Sequence, residues 1–430
     1  AVGATALDSN TTGADNVAVG LSALGLNTTG GQNVALGENA LGQNTTAANN
    51  VAVGYRTLLV NTTGAGNVAI GRGALDANTT ASNNVAVGYG AASANTTATD
   101  VVAVGTNALT ANTTGAINTA VGNFSLDANT TGHSNSSLGG YSLTANTEGN
   151  YNVAIGRNAM AANTTASNNV AIGGNSPLDA NTTGDSNVAV GSGNCLGANT
   201  TGANNVGIGN AALSLNTTAS NNIGIGTAAL EANTTGASNI AIGFQALDKN
   251  TTGGQNTALG YGALGALVGG YHNNVAIGYN ALAVSTVNTG NIAIGAFAMD
   301  GTNSGSATQC TAIGTESMSG ALAGYGNTAL GDSTMKVATS AFENTFIGRS
   351  SGVALTTGDN NVALGSYAGD VVTTGSNNVL IGYDAGSDAL GSITTSSNYI
   401  MLGNNSTANA EIKVDWTVGS DQRDKTDIET

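Results

Sequence analysis

The chain has 430 residues, of which 64 are glycine, one is proline and 8% are charged, and its formal net charge is −16. This charge argues against nucleic acid or anionic membrane surfaces as partners, because both require clustered Lys and Arg, whereas the nine basic residues are scattered. No apolar stretch of the sequence approaches the roughly 18 residues of a membrane span, so we predict no membrane insertion in this segment.

One short cassette dominates the sequence. It is first complete at Asn16–Gly20, where Val17 and Val19 flank a small residue and Gly20 closes the unit. Alternating aliphatic residues followed by glycine are typical of a short strand that ends in a turn. The cassette returns many times, as far as Asn378–Gly382.

The closing glycines define a 17-residue repeat. Their spacing is constant from Gly3 to Gly173, and from there to Gly403 it is equal to this period or slightly longer. A unit this short cannot bury an apolar face alone, so its copies must stack. No window repeats apolar positions at helical spacing. The sequence therefore predicts an all-β, parallel β-solenoid (β-roll) of about 24 coils with a 17-residue period.

Each coil contains a second strand candidate, of the form Ala-Leu-x-x-Asn-Thr, so we expect two parallel sheets that face each other. Because side chains alternate along a strand, we expect Val17 and Val19 to point inward and to meet Leu24. The column that contains Ala18 is then expected to point outward. A thin roll buries little apolar surface, which favours an obligate homo-oligomer that associates across this alanine face.

The second recurring feature of each coil is an Asn-Thr-Thr triplet, such as the one that begins at Asn27. Stacked asparagine side chains form hydrogen-bonded ladders in other parallel stacks, and threonine suits strands. The same triplet is formally an acceptor for N-linked glycans. We favour the ladder and keep glycosylation as the alternative.

The regularity of the repeat changes along the chain. We divide it into regular repeats at 1–260, looser repeats with longer turns at 261–403, a connector at 404–419 and a charged module at 420–430. Tyr271, His272 and Tyr325 lie in the longer turns. Loops rich in Tyr, Gly and Asn suit contact with saccharides or proteins, so these three residues are candidate receptor contacts, with plain surface turns as the alternative.

Other chemistry is weakly represented. Cys195 and Cys310 are expected to be small buried residues, and neither His133 nor His272 has a Cys or His at metal-ligand spacing. Aspartates recur at one turn position, among them Asp8, Asp76, Asp127 and Asp179. A calcium site needs several oxygens at each position, so we predict neither a metal nor a cofactor, and we find no catalytic motif of a conventional enzyme.

The cassettes resemble the repeats in the heads of trimeric autotransporter adhesins and, equally, the repetitive shafts of bacteriophage tail fibres. The resemblance spans nearly the whole chain. It implies a left-handed roll and three chains around a common axis.

A second resemblance is short. The run Ser420–Ile428 is similar to the start of the intramolecular chaperone domain at the C-terminus of endosialidase-type phage tailspikes and fibres. In that family the domain assembles the trimer and then cuts itself off. The resemblance implies a scissile bond at Gly419–Ser420, with Ser420 at the cut and Lys425 as the general base. We expect the chaperone to be truncated at Thr430 and the first residue to be a cut or processed edge.

These observations favour a structural protein of a virus particle, namely a homotrimeric phage tail-fibre shaft that serves host attachment and matures by C-terminal self-cleavage. Its expected partners are itself, a host-surface glycan or protein and other virion tail proteins, and its expected location is the virion or the extracellular space. A bacterial trimeric surface adhesin head is the alternative. An ice-binding solenoid is a third hypothesis, and the expectation that adjacent Thr11 and Thr12 point to opposite faces argues against it.

Overall fold

A computed structural model describes residues 1–284, 286, 289–301, 307–320, 323–387 and 393–407. Within them the chain forms one parallel sheet of 23 three-residue strands and no helix. This confirms the all-β solenoid and its 17-residue period. The strands are β1 Val17–Val19, β2 Val34–Leu36, β3 Val51–Val53, β4 Val68–Ile70, β5 Val85–Val87, β6 Val102–Val104, β7 Thr119–Val121, β8 Ser136–Leu138, β9 Val153–Ile155, β10 Val170–Ile172, β11 Val188–Val190, β12 Val206–Ile208, β13 Ile223–Ile225, β14 Ile240–Ile242, β15 Thr257–Leu259, β16 Val275–Ile277, β17 Ile292–Ile294, β18 Thr311–Ile313, β19 Thr328–Leu330, β20 Thr345–Ile347, β21 Val362–Leu364, β22 Val379–Ile381 and β23 Ile400–Leu402.

Each strand pairs with the next strand along the chain, always in the same register. The first residue of β1 lies opposite the first residue of β2, and this pattern continues to β22 and β23. Each turn of the solenoid therefore adds one strand. The first closing glycine, Gly3, comes directly after Val2. Val2 forms only an isolated parallel bridge to Val19 and belongs to no strand. There is therefore one more closing glycine than there are strands.

The closing glycines lie where two coils approach most closely. At Gly105 the backbone has φ +136°, a conformation that side chains disfavour. A Cβ built on Gly105 would lie 2.7 Å from the carbonyl carbon of Gly122 in the next coil. Glycine is therefore required both by conformation and by space.

The expected second strand of each coil is wrong. Ser22 and Leu24 both adopt positive φ, 54° and 50°, which breaks the extended backbone that a strand needs. The segment still bonds to its neighbours, since the N–H of Leu24 donates to the carbonyl of Ala40 at 3.0 Å. Each coil thus has one strand and a hydrogen-bonded series of turns, and there is one sheet, not two.

The predicted orientation of the strand residues is also wrong. Ala18 is 1% exposed, whereas Val17 and Val19 are 49% and 41% exposed. The alanine column lines the core, and the valine columns lie outside. Leu24 is fully buried, as expected, but it meets the alanines and not the valines.

The physical reason for this reversal is the narrowness of the coil. At the centre of β12 the alanine is replaced by Gly207, and a Cβ there would lie 3.0 Å from Sγ of Cys195 and 3.2 Å from Cδ1 of Leu196. These separations are tight even for the single methyl group of an alanine. A valine at the strand centre would overfill the space, and overpacking costs about 1–3 kcal/mol at each site.

Two columns of buried asparagines run through the interior. Nδ2 of Asn27 donates to Oδ1 of Asn10 at 2.8 Å and to the carbonyl of Gly30 at 2.9 Å. In the second column the backbone N–H of Asn33 donates to Oδ1 of Asn16 at 3.0 Å. The first column is the expected ladder. Asn27 is fully buried, so its amide offers no surface to a glycan.

The first asparagine column becomes apolar towards the C-terminal end. Leu355, Val372 and Ile393 take its position in the coils of β20 to β22, and all three are buried. Of the predicted connector at 404–419, only residues 404–407 are described, and the charged module at 420–430 lies outside the described residues.

Candidate functional site

The outer face of the sheet carries a continuous apolar surface, which we call the outer stripe: the first and third residues of every strand. The third residue is Val, Ile or Leu in all 23 strands, and no first or third residue is charged. Polar residues enter the stripe only at the first position, where they are Thr119, Ser136, Thr257, Thr311, Thr328 and Thr345.

The outer stripe is exposed or half-buried along its whole length in the single chain. Near the far end Val362 and Leu364 are 41% and 47% exposed, much like the valines of β1. Parallel strands stack about 4.8 Å apart, so the stripe is roughly 105 Å long and on the order of 1,000 Å² in area. Monomeric proteins rarely expose an apolar patch above about 300–600 Å². The stripe is therefore the leading candidate for a contact surface.

The sequence predicts association across the alanine side of each strand, but this candidate surface lies on the opposite side. The alanine column that we expected to contact a neighbour is buried, as shown at Ala18, Ala35 and Ala52. The stripe that replaces it lacks charge although the chain carries a net charge of −16. Two chains that meet along it would bring no charged strand residue into contact.

A polar groove of about 510 Å³ lies at the turn after β3 to β5. Tyr55, Arg72 and Tyr89 are stacked in three successive coils, each directly after a closing glycine. Cζ of Arg72 lies 5.5 Å from the centre of the Tyr55 ring and 5.9 Å from the centre of the Tyr89 ring. Both rings thus contribute cation–π contacts to one guanidinium group.

The floor of this groove is backbone. The N–H of Gly73 donates to the carbonyl of Tyr55, and the N–H of Gly90 donates to the carbonyl of Arg72, each at 3.0 Å. These bonds fix the spacing of the three stacked side chains. A Cβ on Gly73 would meet nothing within 4 Å, so the open space of the groove begins at this glycine.

The charges in the groove are Arg56, Arg72 and Asp76. Neither guanidinium forms a side-chain hydrogen bond or an ion pair with any described residue. Burial raises the pKa of the Asp76 carboxyl, and the nearby charge of Arg56 opposes that rise. The groove therefore holds two cations whose N–H donors form no hydrogen bond with any described residue, together with one carboxylate.

No family model and no curated protein matches this chain. The described residues contain no helix that is long and apolar enough to cross a bilayer. In the same part of the chain no group of three or more His, Cys, Asp or Glu side chains is placed to hold a metal ion.

The three candidate receptor contacts are not brought together. Tyr271 is half-buried and packs against the core. His272 is exposed, and its Nδ1 accepts the N–H of Gly254 at 2.9 Å. Tyr325 is exposed and its ring lies 5.1 Å from that of Phe342.

Tyr325 occupies the same turn position as His272, but three coils further along. Thr289 and Thr308 take this position in the two coils between them. Parallel bridges link Thr289 to Thr308 and Thr308 to Tyr325. At about 4.8 Å per coil, the two side chains are roughly 14 Å apart along the axis. They do not form one compact site.

The candidate cleavage residues Ser420 and Lys425 lie outside the described residues, so their roles stay predictions. Cys195 and Cys310 are buried and unpaired. Burial raises the pKa of the Cys195 thiol to about 11, which keeps it protonated and unreactive at neutral pH.

The threonine pairs expose only one hydroxyl per coil. Oγ1 of Thr28 donates to the carbonyl of Thr45 at 3.0 Å, whereas Thr29 is exposed. A flat array of two threonine columns, which the ice-binding hypothesis needs, is therefore not formed by these pairs.

The stacked aromatic side chains were not predicted from the sequence. Besides the groove, Phe244, Tyr261 and Tyr279 form a stack with ring centres 5.2 Å apart, which Phe297 extends. The signal was available, since Tyr55, Arg72 and Tyr89 share one phase of the 17-residue period. Reading each phase as a column would have placed them side by side.

Proposed function

We propose that this chain forms the shaft of a homotrimeric bacteriophage tail fibre, which carries host-attachment functions away from the particle. The observation that supports this proposal is the outer stripe, an uncharged aliphatic surface as long as the solenoid itself. An exposed apolar surface of this size is stabilised by burial against another chain, by about 25 cal/mol for each Å² removed from water.

The construction of the solenoid suits a mechanical role. Backbone bonds and the asparagine ladders both run along the axis, from Asn27 to Asn10 and from Asn44 to Asn27 at 2.8 Å each. Pulling on such a rod loads many hydrogen bonds together.

A shaft that presents one end to a host needs its chains parallel. Parallel identical chains related by cyclic symmetry about the fibre axis can all bury the same stripe. The number three and the left-handed coil come from the resemblance to phage shafts and trimeric adhesin heads. The same resemblance implies a virion or extracellular location, with a host-surface glycan or protein and other tail proteins as partners.

A bacterial adhesin head would use the same rod and the same stripe. The two functions differ in the segment that comes after the solenoid: chaperone sequence after Thr430 in the complete reading frame supports the fibre, and a membrane-anchoring segment supports the adhesin. In the fibre, Ser420 and Lys425 are proposed to carry out a single self-cleavage at Gly419–Ser420, and the mature protein is not an enzyme.

The proposal is tested by the molar mass of the protein in solution, measured by light scattering across a concentration series. We expect three times the 41.6 kDa of the chain. The variant Ile208→Lys/Leu259→Lys places two charges in the outer stripe, and we expect it to dissociate or to associate at least tenfold more weakly. The control Thr218→Lys/Thr252→Lys adds the same charge at exposed threonines outside the stripe and should remain associated.

A wild-type protein that is monomeric at micromolar concentration would overturn the proposal. A stable dimer would retain association through the stripe and overturn the trimer. Dissociation of the threonine control together with the stripe variant would show that added charge, and not the stripe, controls assembly.

A further inference from the structure

We propose that the groove between Tyr55 and Tyr89 binds an anionic saccharide, one that carries a carboxylate or a phosphate. This inference goes beyond the proposed shaft, because the groove is built from one chain and needs no partner. The two proposals can therefore fail separately. A monomer that binds the saccharide would overturn the trimeric shaft alone, and a trimer that does not bind it would overturn this inference alone.

The anion is indicated by the arginines. The whole chain has only nine basic residues against 25 acidic ones, yet Arg56 and Arg72 line the same groove. Their guanidinium groups have no ion-pair partner among the described residues. Guanidinium groups bind carboxylate and phosphate through paired N–H donors, and Arg72 is already oriented by its two tyrosine neighbours.

The sugar part of the ligand is indicated by the other residues that line the groove. Asp76, Ser93 and Asn107 supply acceptors and donors of the kind that sugar hydroxyls need. The tyrosines add rigid amphipathic walls. An apolar peptide side chain would find no apolar pocket here, and each tyrosine ring turns one face to Arg72, which leaves no open slot between them for a nucleobase.

The size of the groove also fits. Small-molecule sites usually have volumes of about 300–1,000 Å³, and this open groove has a volume of about 510 Å³. From Tyr55 to Tyr89 the groove spans two coil steps, or about 10 Å along the axis. This is room for one or two sugar rings.

The space exists because of glycine at one turn position. Gly73 has φ +66°, and the same position is taken by Asn39 at φ 61° and by Asn107 at φ 53° in other coils. Asparagine is therefore compatible with this backbone. The substitution Gly73→Asn fills the groove without a demand on the fold that the chain does not already meet elsewhere.

The test is isothermal titration of the full chain with four probes: glucuronate, glucose 6-phosphate, glucose and inorganic phosphate. We expect glucuronate, glucose 6-phosphate or both to bind at least tenfold more tightly than glucose. The member of the pair that binds identifies the anion as a carboxylate or a phosphate. Gly73→Asn and Arg72→Gln should each weaken that binding at least tenfold. The control Arg157→Gln removes an exposed arginine that also comes directly after a closing glycine, but has glycines at the same position in the coils on either side, and should bind like the wild type.

Failure of the wild type to bind either charged sugar would overturn the proposal, and so would unchanged binding by Gly73→Asn. Inorganic phosphate that binds as tightly as the better-binding charged sugar would show a simple anion site and overturn the saccharide. Because Arg72 is a surface residue, Arg72→Gln keeps the test valid even if Gly73→Asn lowers stability.

Discussion

Phe346 and Gly352 lie in the same coil, and a Cβ built on Gly352 would lie against the Phe346 ring, 3.0 Å from its Cγ. In the regular coils these two positions hold alanine and leucine, as at Ala18 and Leu24. The coil of β20 has exchanged the large and the small residue. Its interior volume is therefore filled by a different pair of side chains.

This exchange predicts strong coupling between the two positions. Phe346→Ala alone leaves a cavity and should cost about 3–5 kcal/mol, and Gly352→Leu alone overpacks the coil and should cost about 1–3 kcal/mol or more. The double variant restores the pair found in other coils, and leucine already tolerates positive φ at this position. It should cost less than the sum of the single changes.

The coupling is best measured locally, because long repeat arrays do not unfold in two states. The backbone N–H of Thr345 donates to the backbone carbonyl of Asn361 at 2.8 Å, and hydrogen exchange of this amide reports on the coil. Additive effects of the two substitutions would contradict the exchange of volume.

The asparagine ladder makes a second prediction. Nδ2 of Asn61 donates to Oδ1 of Asn44 at 3.1 Å and to the carbonyl of Gly64 at 2.9 Å. Asn61→Asp has the same shape but replaces this donor by an acceptor, and it buries an unpaired charge. We expect a loss of about 3–5 kcal/mol at pH 7, measured by hydrogen exchange of the adjacent coils.

The matched control for this change is Asn61→Leu, because the chain itself uses leucine in this column at Leu355. It should cost about 1–3 kcal/mol, since Oδ1 of Asn44 loses its donor. The Asp variant should regain stability on acidification, because its buried carboxyl would have a raised pKa and is neutral below it. Equal losses for Asp and Leu at pH 7 would show that the direction of the ladder bonds is unimportant.

A third prediction concerns pH. Burial raises the pKa of the Asp127 carboxyl, and its Oδ1 has no hydrogen-bond partner among the described residues. A folded-state pKa above the unfolded value means that ionisation costs the folded state. The cost is complete above the folded pKa and disappears below the unfolded value of about 3.9.

Asp127→Asn should therefore be more stable than the wild type at pH 7, by less than about 1 kcal/mol because the side chain is partly exposed. The advantage should disappear near pH 3, as measured by hydrogen exchange of the adjacent coils at both pH values. Thr144→Asn, at the same position one coil along, changes no carboxyl and should differ from the wild type equally at both. An advantage of Asp127→Asn that grew on acidification would contradict the assignment.

The stacking of the fold was predictable from the sequence, because a 17-residue recurrence of Leu24 and Asn27 has no other simple physical cause. The inside and outside of the strand were not. Alternation separates Ala18 from Val17 and Val19, but hydrophobicity alone favours the valines for the core. The better criterion was size: the central residue is alanine in 17 of the 23 strands, whereas the outer columns hold mostly the larger Val, Ile and Leu.

The turns and the groove needed the structure for different reasons. Leucine rarely adopts positive φ, so the conformation at Leu24 had no signal in residue type. The groove depends on side chains that are one full repeat apart in sequence, namely Tyr55, Arg72 and Tyr89, and on a glycine beside them. Those residues share a phase in the sequence, but their cation–π contacts exist only once the coils are stacked.

The last prediction is the self-cleavage proposed for the C-terminal module. In the full-length gene, Ser420→Ala removes the hydroxyl, and Lys425→Ala removes the base that is proposed to take its proton. Both variants should leave a longer product on a denaturing gel, whereas the wild type is cut at Gly419–Ser420. Lys413→Ala removes a lysine of the connector and should be cut like the wild type. A wild type that is never cut, or a Ser420→Ala variant that is still cut, would contradict the chaperone assignment and leave the solenoid shaft to be judged on its outer stripe alone.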